Sequence, residues 1–163
     1  MMTDAARDTF LRNRRVGVLS IARNGKPPLA SPVWYDYDGT CFRIHVEATS
    51  AKAKLVGRVG TEQVSFTVQS EVPPYRYVVA YGTASLRPTG NASLRQRVAR
   101  RYFGRLVGDM YLAEEEKRGI TTDTLRLIEI VPERFVSYDF RPEAGALGRL
   151  YFSIYRWLRP VPA

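Results

Sequence analysis

Two tight-turn dipeptides, Asn24-Gly25 and Asp38-Gly39, punctuate the first third of the chain, each between runs rich in β-branched and aromatic residues. Asn-Gly and Asp-Gly tolerate the positive φ angles of the tightest hairpin turns, so each dipeptide is expected to join two antiparallel strands. The strands defined this way are Val16–Ala22, Leu29–Tyr37 and Cys41–Val46, a three-stranded meander. A chain that opens so is directed toward antiparallel sheet and away from alternating βαβ units.

The remaining segments fit that beginning. Thr3 to Arg12 reads as a short helix, with Thr3 or Asp4 as its cap. Thr49 to Arg58 reads as a second, ended by Gly57 and Gly60. Strands are expected at Gln63–Gln69 and Tyr75–Leu86, separated by Glu71-Val-Pro-Pro74, with Gly82 marking a bulge or bend. Asn91 to Leu106 has apolar residues Leu94, Val98, Tyr102 and Leu106 at fours, widened by Ala99 and Phe103, and predicts a long helix; Asp109 to Lys117 continues helical. A last strand pair, Leu125–Val131 and Phe135–Tyr138, is expected to break at Pro132. The expected fold is mainly β with helical additions, an antiparallel barrel around one core.

At 163 residues the chain suits one domain, or a symmetric dimer of one-domain subunits. Cys41 is the single cysteine, which excludes an intramolecular disulfide and a cysteine-based zinc site within a subunit. The opening residues contain no apolar run resembling a secretion signal. The Leu147–Leu158 stretch is interrupted by Arg149 and Arg156 and falls short of the roughly 20 residues that span a bilayer. A cytoplasmic location is the expectation. The formal charge is +9, carried by 21 arginines and 4 lysines against 16 acids. Coding bias of a GC-rich genome accounts for part of that skew, and a positive surface concentrates polyanions whatever its origin.

Thr49-Ser50-Ala51-Lys52-Ala53-Lys54 follows a strand and opens a helix. Free amides at a helix N-terminus, a serine hydroxyl and two ammonium groups suit a phosphate; equally, Ser50 serves as a simple cap while the lysines face water. Trp34, Tyr35 and Tyr37 alternate, sending Tyr35 and Tyr37 to one face and Trp34 to the other, either as a wall for a planar ring or as core. His45 is the only histidine and has no nucleophile or metal-ligand set near it in sequence, so it reads as a partnered or exposed strand residue. Arg95, Arg97, Arg100, Arg101 and Arg105 occupy one helical segment with no acid among them, which reads as a solvated face in the absence of any nucleic-acid-binding motif. Leu147, Leu150, Tyr151, Ile154 and Leu158 form an apolar face near the C-terminus, with Arg149, Arg156 and Arg159 around it. Packing in a dimer is favoured for that face over contact with a membrane surface.

The order of these segments closely resembles the pyridoxamine 5′-phosphate oxidase-like split-barrel family, in its flavin- and deazaflavin-dependent oxidoreductase branch. The residues that carry the resemblance are Val16-Gly-Val-Leu, Pro28-Leu-Ala-Ser-Pro-Val-Trp-Tyr35, Asp38-Gly39, Ser50-Ala-Lys-Ala-Lys54, Val64-Ser-Phe-Thr-Val68, Tyr75-Arg-Tyr-Val78 with Gly82, and Leu127-Ile-Glu-Ile-Val-Pro-Glu-Arg134. The resemblance implies a homodimeric split β-barrel over residues 1–143 and leaves 144–163 as a basic amphipathic extension. It implies that Ala30, Ser31, Pro32 and Val33 line a flavin-type ring, that Ser50, Ala51, Lys52 and Lys54 hold its phosphate, and that Tyr75 and Tyr77 reach the ring bound by the partner subunit. Coenzyme F420 is the favoured cofactor and FMN the alternative, with hydride transfer to a small organic substrate as the expected activity. Non-catalytic binding of a flavin, a deazaflavin or haem is the alternative of a different class, with His45 as the candidate axial histidine.

Overall fold

The computed structural model describes residues 1–58, 60–89, 92–141 and 145–158. Helix α1 (Asp4–Arg12) is capped by the Thr3 hydroxyl, which accepts from the Ala6 amide. It leads into β1 (Gly17–Arg23), whose hairpin to β2 (Lys26–Val33) turns at Gly25 with φ +65°. Then come β3 (Asp36–Tyr37), β4 (Phe42–Glu47), α2 (Ala51–Gly57), β5 (Thr61–Gln69) and β6 (Arg76–Pro88). The chain continues through α3 (Ala92–Phe103), α4 (Arg105–Lys117), β7 (Leu125–Asp139) and α5 (Gly145–Leu158). The strands form one seven-stranded sheet in the order β2-β1-β5-β6-β7-β4-β3, antiparallel at every pairing.

That order corrects the expected meander. The Leu29–Tyr37 segment is two strands: β2 pairs with β1 at one edge of the sheet, and β3 pairs with β4 at the other. Only Trp34 and Tyr35 separate them, so the two edges lie within about 10 Å of each other at this point, the reach of three extended residues. The sheet therefore curls until its edges meet at an unpaired seam. β2 also starts earlier than expected and includes Pro27 and Pro28, which an edge strand accepts because one row of its backbone groups has no ladder to complete.

Inside the curl lies the main core: Leu19 and Ile21 from β1, Phe42, Ile44 and Val46 from β4, Phe66 and Val68 from β5, with Ile128 and Ile130 from β7. Tyr35 and Tyr37 are buried with them, as the alternation requires. Outside, α3 covers the face of β7 that carries Leu127, and Leu94, Val98 and Leu127 form a second apolar cluster with Trp34 and Tyr102 against it. Leu127 and Ile128 are both buried although they point to opposite faces, because helices sit on one side and the core on the other.

Three further expectations are revised. The helix expected over Asn91–Leu106 ends at Phe103, because Gly104 takes φ +81° and starts α4 in a new direction; Asn91 lies outside the described residues. Pro132 does not end a strand. β7 runs unbroken for 15 residues, and the pairing with β6 shifts between Tyr81 and Gly82, so that Gly82 lies opposite Pro132 in a bulge. The expected solvated arginine face is instead largely engaged: Arg95 is buried, and Arg97, Arg100 and Arg101 bond to Asp36, Asp109 and the Leu11 and Asn13 carbonyls. In α5, Leu147, Leu150, Tyr151 and Ile154 are exposed, while Arg159 and the side chains of Arg149, Arg156 and Leu158 lie outside the described residues. Among the described residues no helix is long and apolar enough to cross a membrane.

At Gly82 a Cβ would meet the Val131 carbonyl oxygen at 2.1 Å and the Pro132 Cα at 2.8 Å. At Gly25 a Cβ would meet nothing, and only the positive φ opposes it. Gly82→Ala should therefore lower unfolding stability by about 2–3 kcal/mol and Gly25→Ala by about 1 kcal/mol, an order that urea denaturation of the two variants will show; equal losses would mean that the bulge has room to spare.

Candidate functional site

A cavity of about 580 Å³ lies between the outer face of the sheet and the α3–α4 pair, within the size range of small-molecule sites. Its construction follows from the alternation along β4. Ile44 and Val46 point into the barrel, which turns His45 and Glu47 outward into the cavity wall. His45 is the direct cross-strand partner of Leu127, so both occupy the outer face that α3 covers. The end of β2 supplies Pro32 and Val33, and Trp34 follows it; Ser50, the cap of α2, and Lys52 in its first turn also line the cavity. The helices above supply Val98 and Ala99 from α3, and Tyr111, Leu112 and Glu115 from α4.

At the start of α2 the Ser50 hydroxyl accepts from the Ala53 amide, and the Lys54 amide donates to the Ser50 carbonyl. Ser50 thus acts as a cap, while the amides of Ala51 and Lys52 have no acceptor among the described residues. The Lys52 ammonium donates to the Ser31 hydroxyl at 3.2 Å. This contact joins two segments 21 positions apart, the strand edge and the helix start. Because β2 is an edge strand, one row of its backbone N–H and C=O groups is also free of any ladder.

Of the residues expected to hold a cofactor, Pro32, Val33, Ser50 and Lys52 line the cavity, and Ser31 touches it through Lys52. Ala30, Ala51 and Lys54 are exposed and outside the lining. Tyr75 and Tyr77 are also outside it: Tyr75 is 53% exposed, and Tyr77 stacks on Tyr138.

The inner wall carries polar groups that the sequence reading did not assign to a site. Arg95 donates through Nη2 to Glu115 at 2.7 Å and to the Ile120 carbonyl at 2.9 Å. The Tyr111 hydroxyl donates to the other Glu115 oxygen; burial and that bond together push the phenol up to about 12. Tyr111 and Glu115 stand four apart on one helical face, the spacing that would have revealed them. Trp34 closes one side, stacked on Tyr102 at 5.1 Å and edge-on to Tyr111. Burial, and secondarily the Arg95 charge, pulls the His45 imidazole down to about 4. Among the described residues no cluster of three His, Cys, Asp or Glu side chains could hold a metal ion.

An antiparallel barrel with a ligand-sized cavity at its seam defines a class of small-molecule-binding folds, and comparison with known proteins narrows it. The family model described as pyridoxamine 5′-phosphate oxidase matches residues 3–135. The chain belongs to that family. No functionally curated protein matches. Among solved structures it is similar to a conserved hypothetical protein from Mycobacterium tuberculosis, at 23% identity and TM-score 0.66, over 86% of this chain and 87% of that one. It is also similar to a structure titled F420 reductase, at 18% identity and TM-score 0.54, over 79% of this chain and 94% of that one. A FAD and haem binding protein from Mycobacterium smegmatis matches at 11% identity and TM-score 0.63, over 85% of this chain and 72% of that one. These likenesses establish a shared fold.

The depressed imidazole makes a pH prediction. An unfolded histidine takes up its proton near pH 6.5, whereas the folded one resists until about pH 4. Between those values the unfolded state binds more protons, so stability falls as pH falls. Comparing pH 7 with pH 4.5, the parent should lose about 2 kcal/mol more unfolding free energy than His45→Phe. Parallel pH dependences of the two proteins would show that the ring titrates normally.

Proposed function

We propose that this protein is an oxidoreductase that binds a flavin-type cofactor noncovalently in the α3–α4 cavity and serves hydride transfer to a small organic acceptor. The observation that carries the reading is the Lys52–Ser31 contact, which sets an ammonium group beside two helix amides with no acceptor among the described residues and beside the backbone of an edge strand. The donor set fits the group. Lys52 and the amides of Ala51 and Lys52 would hold a phosphate, with Ser50 keeping those amides in place as the cap. The free backbone row of β2 at Ser31–Val33 would meet the polar edge of a planar ring, and Trp34, Val98 and Leu112 supply apolar wall.

When bound, the cofactor supplies the hydride chemistry itself. The chain's share is orientation and exclusion of water. The α3–α4 roof closes over the cavity, and Arg95 ties it down by reaching Ile120 beyond the end of α4. Coenzyme F420 is our first choice, because the +9 charge suits a long anionic tail and Lys54 stands exposed one turn along α2; FMN is the alternative. The likeness to a structure titled F420 reductase supports the first, and the family match accommodates both. We place Tyr75 and Tyr77 at the cavity of a partner subunit in a homodimer, with the exposed apolar face of α5 covered in the same assembly. A non-catalytic carrier of flavin, deazaflavin or haem is the second reading, favoured by His45 in the cavity wall and by the likeness to a FAD and haem binding protein.

Visible spectra of the purified protein separate flavin, deazaflavin and haem. Titration with FMN and with F420 should give saturable binding that Lys52→Ala weakens by about 10-fold or more, the scale of a lost charged hydrogen bond. If Lys52→Ala binds both as tightly as the parent, the phosphate corner lies elsewhere.

A further inference from the structure

His45 lines the cavity yet makes no hydrogen bond to any described residue. Its Nε2 is sealed from solvent without a partner. A sealed nitrogen is tolerated better as a bare lone pair than as an orphaned N–H, so the proton of the neutral ring belongs on Nδ1. That nitrogen is not among the sealed atoms, and the ring faces the cavity. The imidazole thus presents a donor with no acceptor among the described residues.

The surrounding charges decide what the acceptor can be. Arg95 is the cation facing this part of the wall, and its Nη2 is already committed to Glu115 and the Ile120 carbonyl. The Tyr111 hydroxyl is committed to the same carboxylate. Glu47 and Glu115 match Lys52 and Arg95 in number among the lining residues, so no positive charge is left over. The charges acting on the ring are those of Arg95, Asp36 and Glu115, one cation against two anions, so a carboxylate brought against His45 would meet net negative charge, and the loss of its hydration would go uncompensated. An uncharged carbonyl escapes both penalties and still accepts a hydrogen bond.

We propose that His45 forms a subsite of the cavity that takes an uncharged carbonyl oxygen of the reactant, accepting from the open imidazole N–H. The proposal rests on the cavity being the reactant site and adds the chemical class of the reactant's polar end. Selection against carboxylates follows from the Glu115 wall, and the apolar lining at Val98 and Leu112 suits a hydrophobic remainder.

Because His45 is the only histidine, its ring nitrogens can be followed in the full ¹⁵N-labelled chain without ambiguity. Benzamide and benzoate are matched probes, alike in size and different in charge. At pH 7 the free protein should show the neutral Nδ1–H tautomer. Benzamide should move those resonances saturably, whereas benzoate captured at Lys52 should leave them in place. His45→Asn, which restores an amide N–H near the Nδ1 position, should keep benzamide affinity within about twofold, and His45→Phe should lose roughly fivefold, the scale of one neutral hydrogen bond. Benzoate moving the ring as strongly as benzamide, an imidazole silent to both, or His45→Phe binding benzamide like the parent would each overturn the subsite. Cofactor uptake is scored separately. A chain that answers benzamide at His45 but takes up neither FMN nor F420 keeps the subsite and ends the cofactor reading; one that takes up cofactor with a silent imidazole does the reverse.

Discussion

Val33 and Asp36 belong to opposite edges of one sheet, and the two residues between them must bridge those edges. This short tether determines most of the rest. A flat sheet of seven strands spaced about 4.8 Å apart would hold its edges nearly 30 Å from each other, so the tether can be satisfied only by a curl. Closure also sets the directions of the two tether side chains. Tyr35 turns inward, edge-on to Phe42 and Phe66, with its hydroxyl donating to the Leu11 carbonyl and so fastening α1 across the barrel end. Trp34 turns outward and becomes the aromatic floor on which Tyr102, Phe103 and Tyr111 gather. The inner core and the roofed cavity thus share one covalent origin.

The arginines of α3 belong to the same assembly. Read as a linear segment they lack acids, but the reversal at Gly104 lays α4 alongside and brings Asp109 to Arg100 and Glu115 to Arg95. The two pairs are not equivalent. Arg100 and Asp109 keep more than a third of their side chains exposed or close to it, and such pairs contribute little. Arg95 and Glu115 are 8% and 17% exposed, so removing either would strand the other's charge in a poorly solvated wall. Arg97 reaches across to Asp36 on β3, itself nearly buried. The helix is thereby fastened to the strand on one side of the seam, and much of the positive charge of this segment is paired with acids distant in sequence.

Local chemistry made much of this legible. The turns at Gly25 and Gly39, the Thr3 and Ser50 caps, the alternation of Trp34 against Tyr35 and Tyr37, and the irregularity at Gly82 all depend on neighbours along the chain. The failures share one cause, which is partners distant in sequence. Nothing in Leu29–Tyr37 announces that its two halves pair with different strands, since that is decided by the closure of the whole sheet. Pro132 looked like a break because its missing N–H counts against a ladder, yet the bulge opposite Gly82 removes the demand for that N–H. Of the site, Ser50 and Lys52 are legible as a local motif and Ser31–Val33 only through the family resemblance, whereas the Arg95–Glu115–Tyr111 wall exists only once α4 folds back.

That fold-back depends on a close approach. A Cβ at Gly108 would stand 2.9 Å from backbone atoms of Ala99 and Arg100, so the two helices touch through bare backbone there. With any larger residue α4 would ride outward, and its reach toward the sheet would shorten by about the thickness of a side chain. Tyr111 and Glu115 lie one and two turns beyond the contact. Each is long enough to meet Trp34 or Arg95 only because the axis runs so near α3. The roof and the polar wall are therefore two results of one packing contact, and the groups that hold α4 down are the groups that face whatever the cavity binds. Displacing α4 would break the Arg95–Glu115 and Arg95–Ile120 bonds together, which keeps the wall chemistry and the closure of the cavity in step.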